Sequence, residues 1–252
     1  MELKHLDVAL DRASEVIAAG DSPLSQFKAT WKSARPEDRA GILAVRSRLL
    51  DYLAAGYITG DTERYNPACD AMLEQAPAFI VQFQPSSEIL LVELCLAIVV
   101  ARPQTAMTLA RALANEAVTG GRTLDHFQAK TLAAFVLQDQ VAAREIAAQL
   151  REACMVRGVD RLSCGQGLHW TAAVQHLAES NHVAARLAID EFLQLHTQSI
   201  DRELAKLKRG GPSAFALFDL LDELPAAALL HLIEAEEQRK AGPAGSAGAG
   251  QV

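Results

Sequence analysis

The chain of 252 residues predicts an all-α fold, an antiparallel helix-hairpin array of solenoid or bundle type, and three observations predict it. Apolar residues recur at helical spacing in Ala106, Leu109, Ala110 and Leu113, in Ala143, Ile146, Ala147 and Leu150, and in Trp170, Ala173, Val174 and Leu177. Each set paints one face of a helix, as docking on neighbours requires. Boundary signals agree: Pro103 stands where a helix can begin, Asp139 and Asn181 stand at N-cap positions, and Gly158 follows a natural stop. Half of the residues are apolar but only 5% are aromatic, so Ala, Leu, Val and Ile must build the core, a composition suited to close helix-on-helix packing. No run of strict alternation marks a strand.

Taken in order, helices are expected over 3–19, 39–55 and 62–83, the last disturbed near Pro67 and Pro77. The most apolar stretch, 89–101, contains Glu93 and is far shorter than the ~20 residues that span a bilayer, so it reads as a buried core helix. Helix pairs fall near 86–118, 122–157 and 163–200, and residues 190–207 prolong the third. Short links make the two helices of a pair antiparallel neighbours. The run from Lys206 to Pro212 then places cations at a helix C-terminus and glycines at its stop. A final helical segment covers 215–239, broken at Pro225, giving about ten helices by the same reading of period and caps. Residues 1–240 form one domain, and the glycine- and alanine-rich tail 241–252 is expected to be disordered.

The hexamer Asp139-Gln140-Val141-Ala142-Ala143-Arg144 nearly repeats as Asn181-His182-Val183-Ala184-Ala185-Arg186, and Pro103 to Ala110 occupies an equivalent place with less similarity. From Ala106 to Ala143 to Ala185 the offsets are 37 and 42 residues, close to the period of two-helix solenoid repeats. A cap, small alanines that admit the preceding helix, and an arginine able to pair with an acid resemble the second helix of a tetratricopeptide repeat. The first helices lack that family's Trp, Leu-Gly and Tyr positions, so the likeness is TPR-like architecture.

A net charge of −7 argues against nucleic-acid binding and against anchoring on anionic lipid. The first residues, Met1 to Asp7, are amphipathic and carry early acids, unlike a signal peptide, which places the protein in the cytoplasm. Cys69, Cys95, Cys154 and Cys164 form no C-x-x-C pair and are not expected to form disulfides; Cys95 and Cys154 lie on apolar stripes as small hydrophobes.

His169 and His176 are two helical turns apart, roughly 10 Å, too far to share one metal. Cys164 near His169 offers sequence proximity without an orienting acid, and reads as a loop thiol before a helix. Gly165-Gln166-Gly167 lacks the strand and Gly-Lys-Ser/Thr of a phosphate loop and reads as a flexible turn. Asp219, Asp222 and Glu223, like Glu234, Glu236 and Glu237, read as exposed helix faces, and Trp170 as a core anchor. No catalytic, metal or cofactor residue is therefore assigned.

Leu168-His169-Trp170-Thr171-Ala172-Ala173, then Asp190-Glu191-Phe192-Leu193-Gln194-Leu195-His196, then Phe218-Asp219-Leu220-Leu221 resemble immunity protein family 49, all-helical proteins associated with bacterial polymorphic toxins. The likeness covers under half the chain: a helical hairpin ending in a Phe-Leu-x-x-His-like segment, then an apolar helix near Asp219. It implies a protein that binds a toxin and blocks it without chemistry of its own, and an acidic surface suits a basic nuclease toxin. The expectation is a non-enzymatic protein-binding protein, with a TPR-like adaptor or regulatory module, and then an enzyme on a helical scaffold, as alternatives.

Overall fold

The computed structural model describes residues 6–19, 22–33, 35–83, 87–115, 123–156, 161–210 and 217–241. Among them are eleven α-helices and no strand: α1 (Leu6–Ala18), α2 (Pro23–Ser33), α3 (Arg39–Thr59), α4 (Thr62–Phe83), α5 (Ser87–Val99), α6 (Pro103–Asn115), α7 (Leu124–Val136), α8 (Gln140–Val156), α9 (Arg161–Ala178), α10 (His182–Lys208) and α11 (Leu224–Ala241). Two 3-10 turns cover Pro36–Asp38 and Leu217–Glu223. No helix among the described residues is long and apolar enough to cross a membrane. The expected disorder of the tail, and the Gly158 and Gly211-Pro212 stops, lie outside the described residues.

The array is built from one turn used four times. After α3 the N–H of Asp61 reaches Gly56 O at 2.9 Å; after α5 Arg102 reaches Ala97 O at 2.8 Å, after α7 Asp139 reaches Ala134 O at 2.8 Å, and after α9 Asn181 reaches His176 O at 2.8 Å. Each is the six-to-one bond of a Schellman stop, preceded by a left-handed residue, Gly60, Ala101, Gln138 or Ser180, at φ between 54° and 67°. Asp61, Asp139 and Asn181 then cap the next helix through Arg64 N–H (3.1 Å), Ala142 N–H (2.9 Å) and Ala184 N–H (3.2 Å). The repeat seen in the sequence is thus a repeated stop-and-cap device, and it extends to α3–α4.

Alanines make the hairpin interfaces: Ala106 and Ala110, Ala143 and Ala147, and Ala173 and Ala185 are buried. Trp170 is fully buried, as expected, and its indole N–H donates to Thr131 Oγ1 at 3.0 Å. The Gly165–Gly167 segment is helical, inside α9, where a turn was expected. A Cβ on Gly165 would stand 2.8 Å from Leu195 Cδ1, and one on Gly167 2.5 Å from Cys154 Sγ. These glycines are there for close approach of α8 and α10 to α9. For the same reason Cys164 belongs to the first turn of α9 and is no loop thiol.

Other departures from the sequence reading are local. Helix α2 was not foreseen: its apolar face is short, but Trp31 docks on Phe79 and Phe83, each at 5.7 Å between ring centroids, with Phe27 stacked on Trp31 at 6.2 Å, concentrating scarce aromatics at one end. Helix α4 runs unbroken through Pro67 and Pro77. The helix expected at 215–239 begins as the 3-10 turn Leu217–Glu223 and becomes α-helical at Leu224, with Pro225 in the first turn, where its missing N–H costs nothing.

This C-terminal segment folds back on the array. Helix α11 packs on α5, α7 and α10, and the 3-10 turn 217–223 packs on α3, α10 and α1. The faces of α5 and α7 that an open repeat array would offer are therefore covered by the chain itself, and the turn roofs a polar space between hairpins.

Candidate functional site

Among the described residues, eight polar or charged residues are buried. Most are explained locally. Arg46 and Glu93 form a buried ion pair, with the guanidinium carbon 3.8 Å from the Phe79 ring centre. Thr131 donates to Phe127 O (2.9 Å) and Thr171 to Gly167 O (2.8 Å), the helical habit of threonine hydroxyls. Glu223 accepts from the Tyr57 hydroxyl. The three that remain, Gln128 of α7, Gln166 of α9 and His196 of α10, meet at one cavity of about 310 Å³.

Around them the same cavity is lined by Asp125, Asp219, Asp222, Glu203, Ser199 and Phe192. Helix packing dictates this. His196 lies on the buried stripe of α10 with Ile189, Phe192 and Ile200, so its ring must enter the interior. Asp125 is in the first turn of α7, and Asp219 and Asp222 are one 3-10 turn apart, so both point to the same side.

On the far side of Asp125, Asp219 and Asp222 lies a second cavity, of about 460 Å³, lined by Leu50, Ile89, Val92 and Phe218 together with Glu88 and Arg46. Three aspartates thus form a wall shared by a polar chamber and an apolar one.

Electrostatics follow from one sign of charge crowded in concave surroundings. Burial raises the Asp125 carboxyl above the usual carboxylate range, and the Glu88 charge raises it further. Asp222 opens to solvent at the junction of the chambers, yet protein crowds it; desolvation, then the charges of Asp125, Asp219 and Glu88, push it up to about 7. His196 is 7% exposed, and burial lowers its pKa to about 4, so the ring is neutral.

Gln166 Nε2 stands 3.5 Å from His196 Nδ1, while His196 Nε2 is buried without a hydrogen-bond partner. A buried ring nitrogen left unpaired costs ~1–3 kcal/mol, so it marks a place where a ligand group fits.

The reading of Asp219, Asp222 and Glu223 as an exposed helix face holds for Asp222, which is exposed at the mouth of the cavities, and is corrected for Asp219, which is half-buried, and for Glu223, which is buried against Tyr57. Glu236 and Glu237 contact His182 at 3.2 and 3.6 Å, and Glu234 and Glu237 contact Arg186 at 3.7 and 2.8 Å, fastening α11 to α10.

Cys164 and His169 are not brought together as a reactive pair. The Cys164 thiol donates to Cys154 O at 3.0 Å, and His169 pairs with Glu191 at 2.8 Å. All four cysteines are free; burial pushes the Cys69 thiol up to about 12 and raises the Cys95 thiol well above its ordinary value, so neither is a nucleophile. Among the described residues no group of three or more His, Cys, Asp or Glu side chains is arranged to hold a metal ion.

Gln128, Gln166, His196 and Asp125 escaped the sequence reading. Their signal was a polar residue standing on an apolar stripe, clearest in His196 between Phe192 and Ile200. No protein-family model, curated protein or solved structure matches the chain.

Proposed function

We propose that this chain is a non-enzymatic binding protein that captures a cationic group of a protein partner at the aspartate wall, with neutralisation of a basic toxin as the specific form of that role. The observation that carries the reading is the convergence of Asp125, Asp219, Asp222 and Glu203 with three otherwise unexplained buried polar side chains on one cavity. Arg46 is the one permanent cation among the lining residues of the two chambers, and it is engaged by Glu93. The acidic lining favours a lysine or arginine from a partner, and like-signed carboxylates steer a basic partner towards the site.

Two of the three segments that carry the likeness to immunity protein family 49 contribute to this cavity: Phe192 and His196 come from the second and Asp219 from the third. That proximity supports the immunity reading over a TPR-like adaptor, whose peptide-binding face is here covered by α11. The test is affinity capture from the native cell by the wild-type chain and by an Asp125→Asn/Asp222→Asn double variant, followed by co-expression with the captured protein. A basic partner held by the wild type, lost by the variant and toxic when expressed alone supports the proposal. Equal capture by both proteins refutes the assigned site.

One observation favours the enzyme reading: a carboxyl near neutrality beside ionised neighbours has the asymmetry a general acid needs. Turnover of a small molecule by the wild type, abolished by Asp222→Asn, would establish it in place of capture.

A further inference from the structure

Helices α8 and α9 pack as an antiparallel hairpin whose register can be followed pair by pair. Deep in the array the Thr171 hydroxyl approaches Ala147 O at 3.3 Å. One turn nearer the connection, a Cβ on Gly167 would stand 3.4 Å from Leu150 Cδ1 and 2.5 Å from Cys154 Sγ. One turn further, the Cys164 thiol donates to Cys154 O at 3.0 Å. Ala147, Leu150 and Cys154 recur at helical spacing on α8, and Cys164, Gly167 and Thr171 do so on α9, so two faces meet. Their register sets Cys154, in the last turn of α8, opposite Cys164, in the first turn of α9.

Gly167 decides how close the two come. Any side chain there would collide with Cys154 Sγ, so glycine lets that sulfur lie against α9. The thiols are within hydrogen-bonding reach of each other: burial raises the Cys154 thiol, and the Cys164 thiol beside it raises it further. Both residues are partly exposed, whereas Cys69 and Cys95 are buried. A sequence search for C-x-x-C passes over this pair, because the hairpin and not a local motif brings its members together.

We propose that Cys154 and Cys164 are a reversible redox pair, which a small-molecule disulfide converts to an intramolecular disulfide that staples α8 to α9. In the first step one protein thiolate attacks the small disulfide RSSR; a mixed disulfide forms, the RS–SR bond breaks and RS⁻ leaves. In the second step the other protein thiolate attacks the protein sulfur of that mixed disulfide; the Sγ–Sγ bond forms and the second RS⁻ leaves. The two protein sulfurs lose two electrons in all, RSSR gains the same two, and the two thiol protons end on two RSH. Excess RSH runs the exchange backwards. Exposure supplies selectivity, since Cys69 and Cys95 are buried and their raised pKa values keep them protonated. The inference stands apart from the aspartate wall and from capture of a partner.

The test treats the full reduced chain with glutathione disulfide at mildly alkaline pH. Remaining thiols are alkylated in denaturant and the chain is cut with trypsin, which cleaves after Arg157 and Arg161 and so separates the two cysteines. The expected product keeps two of its four thiols, carries no glutathione and is lighter by two hydrogens before alkylation. It yields one cross-linked peptide pair, Cys154 with Cys164, which dithiothreitol releases. Cys154→Ser and Cys164→Ser should each hold one glutathione on the remaining cysteine, because no second thiol is there to expel it. The oxidised wild type should melt at a higher temperature than the reduced, through the constraint on the unfolded chain, and neither serine variant should show that rise.

A wild-type chain that accumulates glutathione on Cys154 or Cys164 without a bridge overturns the proposal, as does a bridge through Cys69 or Cys95, or four thiols left free. A bridge that lowers the melting temperature overturns the staple. Should a serine variant not fold, phenylarsine oxide on the native wild type decides, since it bonds two adjacent thiols at once with loss of water. Protection of Cys154 and Cys164 together from alkylation supports the pair, and alkylation of both in its presence overturns it.

Discussion

Two sets of charge stand side by side on the apolar chamber, and they could hardly be organised more differently. Arg46 and Glu93, from α3 and α5, are buried and paired with each other, the guanidinium stacked on Phe79. Asp125, Asp219 and Asp222, on the wall of the same chamber, carry one sign. The pair joins two opposite charges within the chain and ties α3 to α5. The aspartates repel one another and weaken the fold they sit in. A protein keeps such a cluster where something outside the chain completes it, which is why the aspartates, and not the better buried pair, are taken as the site.

The largest effect that tests this contrast is on the pair. Arg46→Leu or Glu93→Leu alone leaves an uncompensated buried charge and should cost ~3–5 kcal/mol, whereas the double replacement should recover most of the loss, because removing both charges also removes both desolvation penalties. Burial already lowers the Arg46 pKa to about 9, the sign of a cation strained by its surroundings. Urea denaturation of the three variants measures it. Singles that cost under ~1 kcal/mol would mean that the pair is no more structural than a surface bridge, and the contrast would fail.

A second test uses pH, since the cluster and the histidine beside it pull in opposite directions. His196 is lowered from 6.5 to about 4, so between those values the unfolded chain binds the extra proton and stability falls as pH falls, by about 3 kcal/mol at most. Asp222 is raised from 3.8 to about 7, so over that span the folded chain binds the extra proton; its contribution is full below the lower value and is lost as pH rises through about 7. Where the windows overlap the two slopes oppose each other. Asp222→Asn should therefore steepen the loss of stability on acidification from 6.5 towards 4, and His196→Gln should flatten or reverse it. Thermal melts across that window read both signs, and variants that shift the slope the same way would break the assignment.

How much of this was legible in the sequence divides along the same line. The hairpins were legible because they rest on local chemistry: caps at Asp139 and Asn181, and alanines at helical spacing, mean the same thing in any neighbourhood. The glycines of α9 were misread because Gly165 and Gly167 answer to Leu195 and Cys154 on other helices, information that local context lacks. Asp219 and Glu223 were misread for the same reason: a polar residue after a glycine-rich break looks solvated until the turn 217–223 is seen packed on α3 and α10. His196 stands in the family-like segment 190–196. Its place on the stripe of Phe192 and Ile200 marked it for burial, but only the structure shows that its Nε2 has no partner.

The smallest expected effect is the sharpest test of the cluster, because it asks for a ranking. Asp222 is raised first by desolvation and then by Asp125, Asp219 and Glu88 in that order. Neutral isosteres remove one charge at a time without opening space, so the Asp222 titration should drop most in Asp125→Asn, less in Asp219→Asn and least in Glu88→Gln, remaining above the ordinary Asp value in all three because the desolvation stays. Asp125 feels Glu88 as its neighbouring charge, so Glu88→Gln should also lower the Asp125 titration. Carboxyl-carbon NMR of the three variants reads both residues at once. A drop of equal size in all three would mean that the carboxylates act through general surface charge, screened alike by salt, and not as a wall in which each member faces the others.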